Sequence, residues 1–446
     1  MTPALNQNID TEAFEKLSKH IDPNIILRTL AEMDPATLQK TLMATAGGGK
    51  KPRQAPPVNS DFFDIYDTLT PDQRRMGEVT REFMQREIKP LAAEYWEKGE
   101  TPKEFITKAG ELMTLILGED YIFEYPSSDP IGTGIMMMEM AAIEPSFQTF
   151  FGVQWGLCMA SIQMFGSEEQ KAKWLPDMVK FKKIGSWALT EPETGSAAAA
   201  GLQTTAEKHG DTWIINGQKK WSGNATIADV NVIWAKNMET GQVNAFLVEK
   251  DQPGYTVEKL EGKISKRMVE NVLITLDEVE VHESNRLPGV KSFKDTGRQL
   301  ASARAGVAWE AVGVAKGVYE ATLEYANNRK QFGKPITAFQ LVQMNLVKML
   351  GNLTAMQTMA LRMAQLEERD EMISHERASL SKAWMSDLLR DTVALGRGTL
   401  GGNGILVEHD VARFFVDAEA VYSYEGTYEM NSLIVGRAIT GQSAFV

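Results

Sequence analysis

The 446-residue sequence contains a single cysteine, Cys158, and only five histidines. One cysteine excludes a disulfide within the chain and a zinc site built from several thiolates. The scarcity of histidine also argues against a metal site made wholly of side chains. We therefore expect no metal ion.

Positive charge and long apolar runs are also in short supply. Lys and Arg number 47 against 59 Asp and Glu, a net charge of −12, and nucleic-acid phosphates demand the opposite sign. The apolar stretch 135–143 is interrupted by Glu139 and is far shorter than the roughly 20 residues of a membrane span. The first residues carry Asp10 and Glu12 and no apolar signal segment. We expect a cytoplasmic protein that neither binds nucleic acid nor spans a membrane.

Residues 1–60 are predicted to be a helical appendage with a linker. Asp22-Pro23 and Asp34-Pro35 each place a capping carboxylate before a proline at the first helical position. Three glycines and three prolines in the stretch 47–57 predict a segment without regular structure. The pattern leaves open whether the appendage docks a partner, contacts another subunit or has no function.

The remaining chain divides into three regions by its periodicity. Residues 61–184 are predicted to be a helical domain, in which the methionine run at 136–140 most simply fills the core. Residues 185–291 alternate with period 2, and no helix separates the strands, which predicts an antiparallel β barrel or sandwich. Residues 292–446 are predicted to be a helix bundle. The strands are expected near 212–217, 230–235, 243–248 and 272–276, and the long helices near 296–327, 336–367, 372–399 and 428–441.

Five short motifs carry chemical groups, and each also has an ordinary structural explanation. Their hydroxyls, backbone amides and cations could bind a ring or a phosphate, or they could simply form turns and helix caps. No Gly-x-Gly-x-x-Gly links a strand to a helix, which argues against a Rossmann dinucleotide site. The motifs occupy 187–196, 220–224, 329–335, 400–404 and 424–427.

The order and spacing of these motifs resemble the acyl-CoA dehydrogenase superfamily over about residues 64–446. The Thr-Glu-Pro and Gly-Ser loop, Arg-Lys-Gln-Phe-Gly, Gly-Gly-Asn-Gly and Tyr-Glu-Gly-Thr follow one another in the family's order. The ending 436–441 resembles most closely the glutaryl-CoA dehydrogenases and the plant-type short-chain acyl-CoA oxidases. The resemblance implies a mainly α fold with a central β domain, FAD as cofactor and a homodimer or homotetramer.

The resemblance also implies a role for individual residues. Glu425 stands at the position of the catalytic base, which takes the α-proton of an acyl thioester while hydride passes to the flavin. Family positions around the substrate are matched by Gln148, Ser196, Arg304, Tyr424 and Gly426. Family positions around FAD are matched by Trp187, Leu189, Thr190, Gly195, Ser196, Trp221, Ser222, Gly223, Arg329, Phe332, Gln340, Gly398, Leu400, Gly401, Gly402 and Thr427.

Departures from the family pattern narrow the expected reaction. Ala303 stands where some subfamilies carry the base, which leaves Glu425 as the candidate. Gln148 stands where glutaryl-CoA dehydrogenases place an Arg for the distal carboxylate, which favours a short- or medium-chain monocarboxylic acyl-CoA. The predicted function is therefore dehydrogenation to the trans-2-enoyl-CoA, with an electron-transfer flavoprotein as acceptor. The alternatives are an oxidase that uses O2, which Gly223 favours, a glutaryl-CoA dehydrogenase, or a non-catalytic acyl-CoA-binding scaffold.

Overall fold

The computed structural model describes residues 22–34, 37, 56–196, 201–370 and 372–444. The chain divides into two compact units, Met1–Pro57 and Val58–Val446. In the first unit, helix α1 (Pro23–Glu32) begins as predicted, with the Asp22 carboxylate accepting a hydrogen bond from the Asn24 N–H. The second predicted helix and most of the linker lie outside the described residues.

The second unit begins with helices, as the sequence predicts. Thr70 caps the first of them in a reciprocal capping box with Gln73. Two π-helical segments, Met84–Ile88 and Val153–Met159, join neighbouring helices into longer rods. The helices are α2 (Pro71–Phe83), α3 (Lys89–Lys98), α4 (Glu104–Leu117), α5 (Pro130–Ile143), α6 (Pro145–Gly152), α7 (Ala160–Phe165) and α8 (Glu168–Met178).

Seven strands follow and form one sheet, an open half-barrel. They are β1 (Gly185–Ala188), β2 (Thr205–His209), β3 (Thr212–Ser222), β4 (Val230–Asn237), β5 (Val243–Glu249), β6 (Tyr255–Lys259) and β7 (Val272–His282). Most pairs are antiparallel, but β4 pairs in parallel with β1 along its first half and with β2 at its end. The prediction of purely antiparallel pairing is therefore wrong at β4. This strand is buried along nearly its whole length, the environment in which parallel pairing is usual.

The chain returns to helices after the sheet, as predicted. These are α9 (Phe293–Asn328), α10 (Gln340–Asp370), α11 (His375–Leu400), α12 (Asp410–Ser423) and α13 (Tyr428–Thr440), with a two-residue hairpin, β8 (Lys330–Gln331) and β9 (Lys334–Pro335), before α10. The four stretches predicted as long helices did not include α12. Its buried face carries Arg413 and Asp417, and these charges break the apolar periodicity that identifies a helix.

Helix α9 packs closely against α5 because it carries small residues at the contact. A Cβ at Gly313 would lie 2.3 Å from the Met138 carbonyl oxygen, and one at Gly317 would lie 2.3 Å from that of Ala142. Met136, Met137, Met138 and Met140 fill the core as predicted, and Met137 also lines a cavity. Within the described ranges no helix combines the length and apolar character of a membrane span. The same ranges hold no group of three or more potential metal ligands.

Candidate functional site

A cavity of about 900 Å³ lies between helices α5, α6 and α9, the sheet and the loop that joins α12 to α13. Most residues that the sequence singled out are brought together here, although they come from widely separated segments. Those that line the cavity are Gln148, Trp187, Leu189, Thr190, Gly195, Ser196, Trp221, Ser222, Gly223, Tyr424, Glu425, Gly426 and Thr427.

A second set of predicted residues does not line this cavity. Arg329 ends α9 and Gln340 begins α10, and both are exposed. Phe332, in the hairpin between them, is 92% exposed. The remaining members, Gly398, Leu400, Gly401 and Gly402, lie at the end of α11 and in the turn after it. A single chain therefore presents two separate groups of predicted cofactor residues.

The loop that carries Glu425 is held in an unusual backbone conformation. Glu425 has φ +53° and Gly426 has φ +84°, and the left-handed region is costly for a residue with a side chain. The Lys382 Nζ donates to the carbonyl oxygens of Tyr422 and Gly426, each at 2.7 Å. The Asn431 Nδ2 donates to the Gly426 carbonyl oxygen at 2.9 Å. These bonds compensate the strain and hold the backbone on either side of Glu425 in place.

Arg304 contacts the same loop from helix α9. It is not among the residues that line the cavity. Its Nε donates to the Glu425 carbonyl oxygen at 3.1 Å, and its Nη1 donates to His375 Nδ1 at 2.9 Å. Burial and the Arg304 charge lower the pKa of His375, which keeps the imidazole neutral and able to accept. Arg304 thus contacts the backbone of the predicted base, whereas the sequence predicts a substrate contact.

The Glu425 carboxyl group is available for chemistry. Its Oε2 is buried and finds no hydrogen-bond partner among the described residues. Burial raises the pKa of Glu425, and the nearby charges of Arg304 and Lys382 partly offset that rise. A carboxylate with a raised pKa is a stronger base than one in water.

The loop after β1 is fixed by a buried ion pair beneath it. The Glu191 carboxylate accepts from the backbone N–H groups of Gln203 and Thr204 and from the Lys219 Nζ at 2.8 Å. Lys219 also donates to the Leu189 carbonyl oxygen at 3.1 Å. Burial lowers the pKa of Lys219 to about 8, against the opposing effect of Glu191. The pair holds the residues from 189 to 196 in place at the edge of the cavity.

The end of β3 forms the opposite edge of the cavity. Trp221 is 53% exposed, has φ +73° and accepts a hydrogen bond at its carbonyl oxygen from Asn271 Nδ2. The hydroxyl of Ser222 is buried and has no partner in the described part of the chain. An exposed indole beside an unpaired hydroxyl suits a planar ring with polar edges.

The cavity also contains a polar cluster of which the sequence predicted only Tyr424, here called the Glu310 cluster: Thr149, Lys266, Glu310 and Tyr424. The Glu310 carboxylate accepts from the Lys266 Nζ, from the Thr149 hydroxyl at 3.2 Å and from the Tyr424 hydroxyl. Burial and the Glu310 charge raise the pKa of Tyr424, so its hydroxyl stays a donor. Glu310 is the only charge in the otherwise apolar stretch 305–315, and that isolation is the sequence signal of a buried ion.

A further carboxyl group, Glu367 on α10, lines another part of the cavity. Burial raises its pKa to about 7. Tyr125 and Ser302 line the same cavity, and the charges of both Glu367 and Glu425 contribute to a raised Tyr125 pKa. The cavity therefore holds two carboxyl groups with raised pKa values, and the assignment of the base requires a test of both.

Comparison with known proteins gives consistent matches over most of the chain. The sequence patterns of the acyl-CoA dehydrogenase N-terminal, middle and C-terminal domains match residues 70–182, 186–279 and 293–440. The mouse mitochondrial short-chain specific acyl-CoA dehydrogenase is 30% identical, over 82% of this chain and 90% of the mouse protein.

Two similar crystal structures are of glutaryl-CoA dehydrogenases from Mycobacterium smegmatis. One is 35% identical with a TM-score of 0.82 and covers 87% of this chain and 100% of its own. The other, a complex with FADH2, is 33% identical with a TM-score of 0.81 and covers 86% of this chain and 98% of its own.

Proposed function

The chain belongs to the FAD-dependent acyl-CoA dehydrogenase family, and from that premise we propose that it converts a short- to medium-chain acyl-CoA into the trans-2-enoyl-CoA with Glu425 as the base. The observation that carries the proposal is the buried, unpartnered Glu425 Oε2 in the same cavity as the residues predicted to surround the flavin. A carboxylate in that position can reach a substrate held against the ring.

The residues of the cavity fit FAD. Leu189, Thr190 and Ser196 would lie along the flavin edge, the Trp221 indole would flank the ring system, and the unpaired Ser222 hydroxyl would donate to a polar ring atom. When bound, FAD supplies the acceptor for the hydride that leaves the β-carbon. The protein supplies the binding site, the orientation and the base.

Glu425 contributes to proton removal in two ways. Its side chain is a base strengthened by burial. Its backbone N–H makes no hydrogen bond to a described residue, so it can donate to the thioester carbonyl oxygen. Negative charge develops on that oxygen as the α-proton leaves, and a fixed N–H stabilises the charge without reorganisation.

Reduction of the bound flavin tests the base assignment. We expect anaerobic addition of butyryl-CoA to bleach the flavin absorption band of the wild-type protein. Glu425→Gln should keep the flavin, but the rate of bleaching should fall by a factor of at least about 10³, because an amide cannot accept the proton. Glu429→Gln changes an exposed acid on the next helix and should bleach like the wild type.

Two results would contradict the assignment. Substantial bleaching by Glu425→Gln would show that another group removes the proton. Loss of bleaching in Glu367→Gln, with bleaching intact in Glu425→Gln, would transfer the role to Glu367. A colourless protein that binds acyl-CoA would favour the non-catalytic scaffold instead.

The electron acceptor separates the dehydrogenase from the oxidase alternative. Gly223 supports the oxidase, although packing also explains this glycine, since a Cβ would lie 3.2 Å from Val153 Cγ2 and 3.3 Å from Val269 Cγ1. We favour transfer to an electron-transfer flavoprotein. Butyryl-CoA in air without an added acceptor should then produce little hydrogen peroxide, and stoichiometric peroxide would assign the oxidase.

The separation of the two groups of predicted FAD residues supports an oligomer. Arg329, Phe332 and Gln340 are exposed and lie outside the cavity. We propose that a second copy of the chain brings these residues to the diphosphate and adenosine parts of FAD, in a homodimer or homotetramer.

A further inference from the structure

The buried end of the cavity is polar, which is unexpected for a site that holds a plain hydrocarbon chain. Lys266, Glu310 and Gln148 line the cavity and are each no more than 6% exposed. The CoA moiety must extend towards solvent while the reacting carbon lies at Glu425. With that orientation the tail of the acyl chain extends into the buried lining of the cavity, which includes these three polar side chains.

Helix α6 contributes two polar side chains and a glycine to the lining of the cavity. Gln148, Thr149 and Gly152 lie on one face at helical spacing and all line the cavity. Gly152 has no side chain, and a Cβ there would lie 3.7 Å from Gln148 Nε2. The Gln148 Oε1 is buried and has no partner among the described residues.

The Glu310 cluster also leaves one donor without a partner among the described residues. The Lys266 ammonium group has three hydrogens to donate. Among the described residues two groups accept from it, the Glu310 carboxylate and the Pro145 carbonyl oxygen, the latter at 3.0 Å. The third hydrogen and the Gln148 Oε1 are a donor and an acceptor on two buried residues that line the same cavity. Leaving both unpaired is costly, and a group that is at once donor and acceptor would satisfy both.

We propose that Gln148 and the Glu310 cluster select short acyl-CoA thioesters that carry a hydroxyl group at the far end of the acyl chain. This inference rests on the proposed function, because it takes the cavity to be the acyl site. A hydroxyl reproduces the hydrogen bonds that a water molecule would make there. A terminal methyl would leave both protein groups unpaired.

The charges of the cluster argue against a distal carboxylate. The positive charge of Lys266 is already paired with Glu310 in an ion pair buried on both sides. An incoming carboxylate would find no unpaired cation in this cluster and would be repelled by Glu310. Selectivity should therefore run from the hydroxyl to the methyl to the carboxylate.

Binding of non-reactive analogues tests the inference without any turnover. The probes are CoA thioethers with unbranched chains of four to six carbons that end in a methyl, a hydroxyl or a carboxylate, measured by calorimetry on the flavin-loaded protein. We expect the hydroxyl analogue of at least one length to bind about tenfold more tightly than its methyl partner, a difference of about 1.4 kcal/mol. Equal or weaker binding of the hydroxyl analogue at every length would overturn the proposal, as would a preference for the carboxylate.

Two variants assign the selectivity to its residues. Gln148→Leu retains a similar volume without a hydrogen-bonding group and should bring the hydroxyl-to-methyl affinity ratio to within about twofold of unity. Met137→Leu alters an apolar lining residue and should leave the ratio unchanged. Persistence of the full ratio in Gln148→Leu would overturn the assignment, and the wild-type ratio stands as a test if that variant fails to fold.

The outcomes also separate this inference from the proposed function. Bleaching by butyryl-CoA without a hydroxyl preference in binding would remove only the inference. A hydroxyl preference in binding, with no bleaching by either the methyl or the hydroxyl thioester, would remove only the proposed dehydrogenation.

Discussion

At the scale of single residues, the proposed role of Glu425 as the base makes the reaction depend on the ionisation of this residue. Burial raises the pKa of this carboxyl group, and only the deprotonated form accepts the α-proton. We therefore predict that kcat/KM for butyryl-CoA falls as the pH is lowered, with a midpoint above the ordinary glutamate value of about 4.3. Stopped-flow measurement of flavin reduction across the pH range checks this. A midpoint at or below the ordinary value would show that the acid is not held in the buried environment described here.

Lys382 provides an independent test of that electrostatic environment. Its ammonium group lowers the pKa of Glu425 and bonds two carbonyl oxygens of the loop. We predict that Lys382→Met moves the acid limb of the kcat/KM profile to higher pH, because the favourable charge is lost. Lys348→Met, at an exposed lysine on α10, is the matched control and should not move it. A change in overall rate with no movement of the limb would mean that Lys382 acts only on the loop geometry.

At the scale of secondary-structure elements, Glu283 joins three strands of the sheet through one carboxylate. It follows β7 and accepts from Trp213 Nε1 on β3 at 2.5 Å and from Arg286 Nη2 at 2.7 Å, while Lys208 on β2 lies 3.3 Å away. Partial burial opposes ionisation, but the hydrogen bonds from Arg286 and Trp213 outweigh it and lower the pKa of Glu283 to about 2. The ionised group therefore stabilises the folded sheet.

The sign of this effect gives a stability prediction. The folded pKa lies below the unfolded one, so the stabilisation is fully present above about pH 4.5 and is lost as the pH falls towards 2. We expect Glu283→Gln to lower the free energy of unfolding by about 1–3 kcal/mol at pH 7 and by progressively less below pH 4. Urea unfolding of the wild type, Glu283→Gln and the exposed control Glu280→Gln at several pH values checks this. A gap that does not depend on pH would rule out the ionised carboxylate as its source.

The elements show which parts of the fold a sequence pattern can reveal. Strands β3, β4, β5 and β7 were found because their runs of branched and aromatic residues lie between turn residues. Strand β2 was missed because it is mostly polar and so lacks the alternation of apolar and polar residues that predicts a strand.

The residues of the site also fall into those that a sequence pattern reveals and those that it does not. Residues that belong to motifs, such as Glu425 and Trp221, were found because the resemblance carries them as short contiguous strings. The Glu310 cluster was not predicted as a unit, although Tyr424 was, because its four members come from positions 149, 266, 310 and 424. Only the folded chain brings them together, and no local pattern marks a pairing across such distances.

At the scale of the whole molecule, an exposed apolar face on α10 adjoins the predicted FAD residues that lie outside the cavity. Leu341, Met344 and Val347 are 73%, 60% and 70% exposed and recur on one side of the helix, next to Gln340. An exposed apolar face of this kind typically marks an interface. A second copy packed on this face would cover it and supply Arg329 and Gln340 to the partner's FAD.

We predict that the double substitution Leu341→Glu and Val347→Glu produces a smaller species that retains less FAD, because like charges would then face each other across the interface. Light scattering after size-exclusion chromatography gives the mass, and the flavin-to-protein absorbance ratio gives the occupancy. Ile122→Glu is the matched control, since Ile122 is 80% exposed in the loop between α4 and α5, and it should change neither quantity. A wild-type monomer with full flavin occupancy would show that one chain completes the site alone, and an unchanged mass for the double variant would place the interface elsewhere.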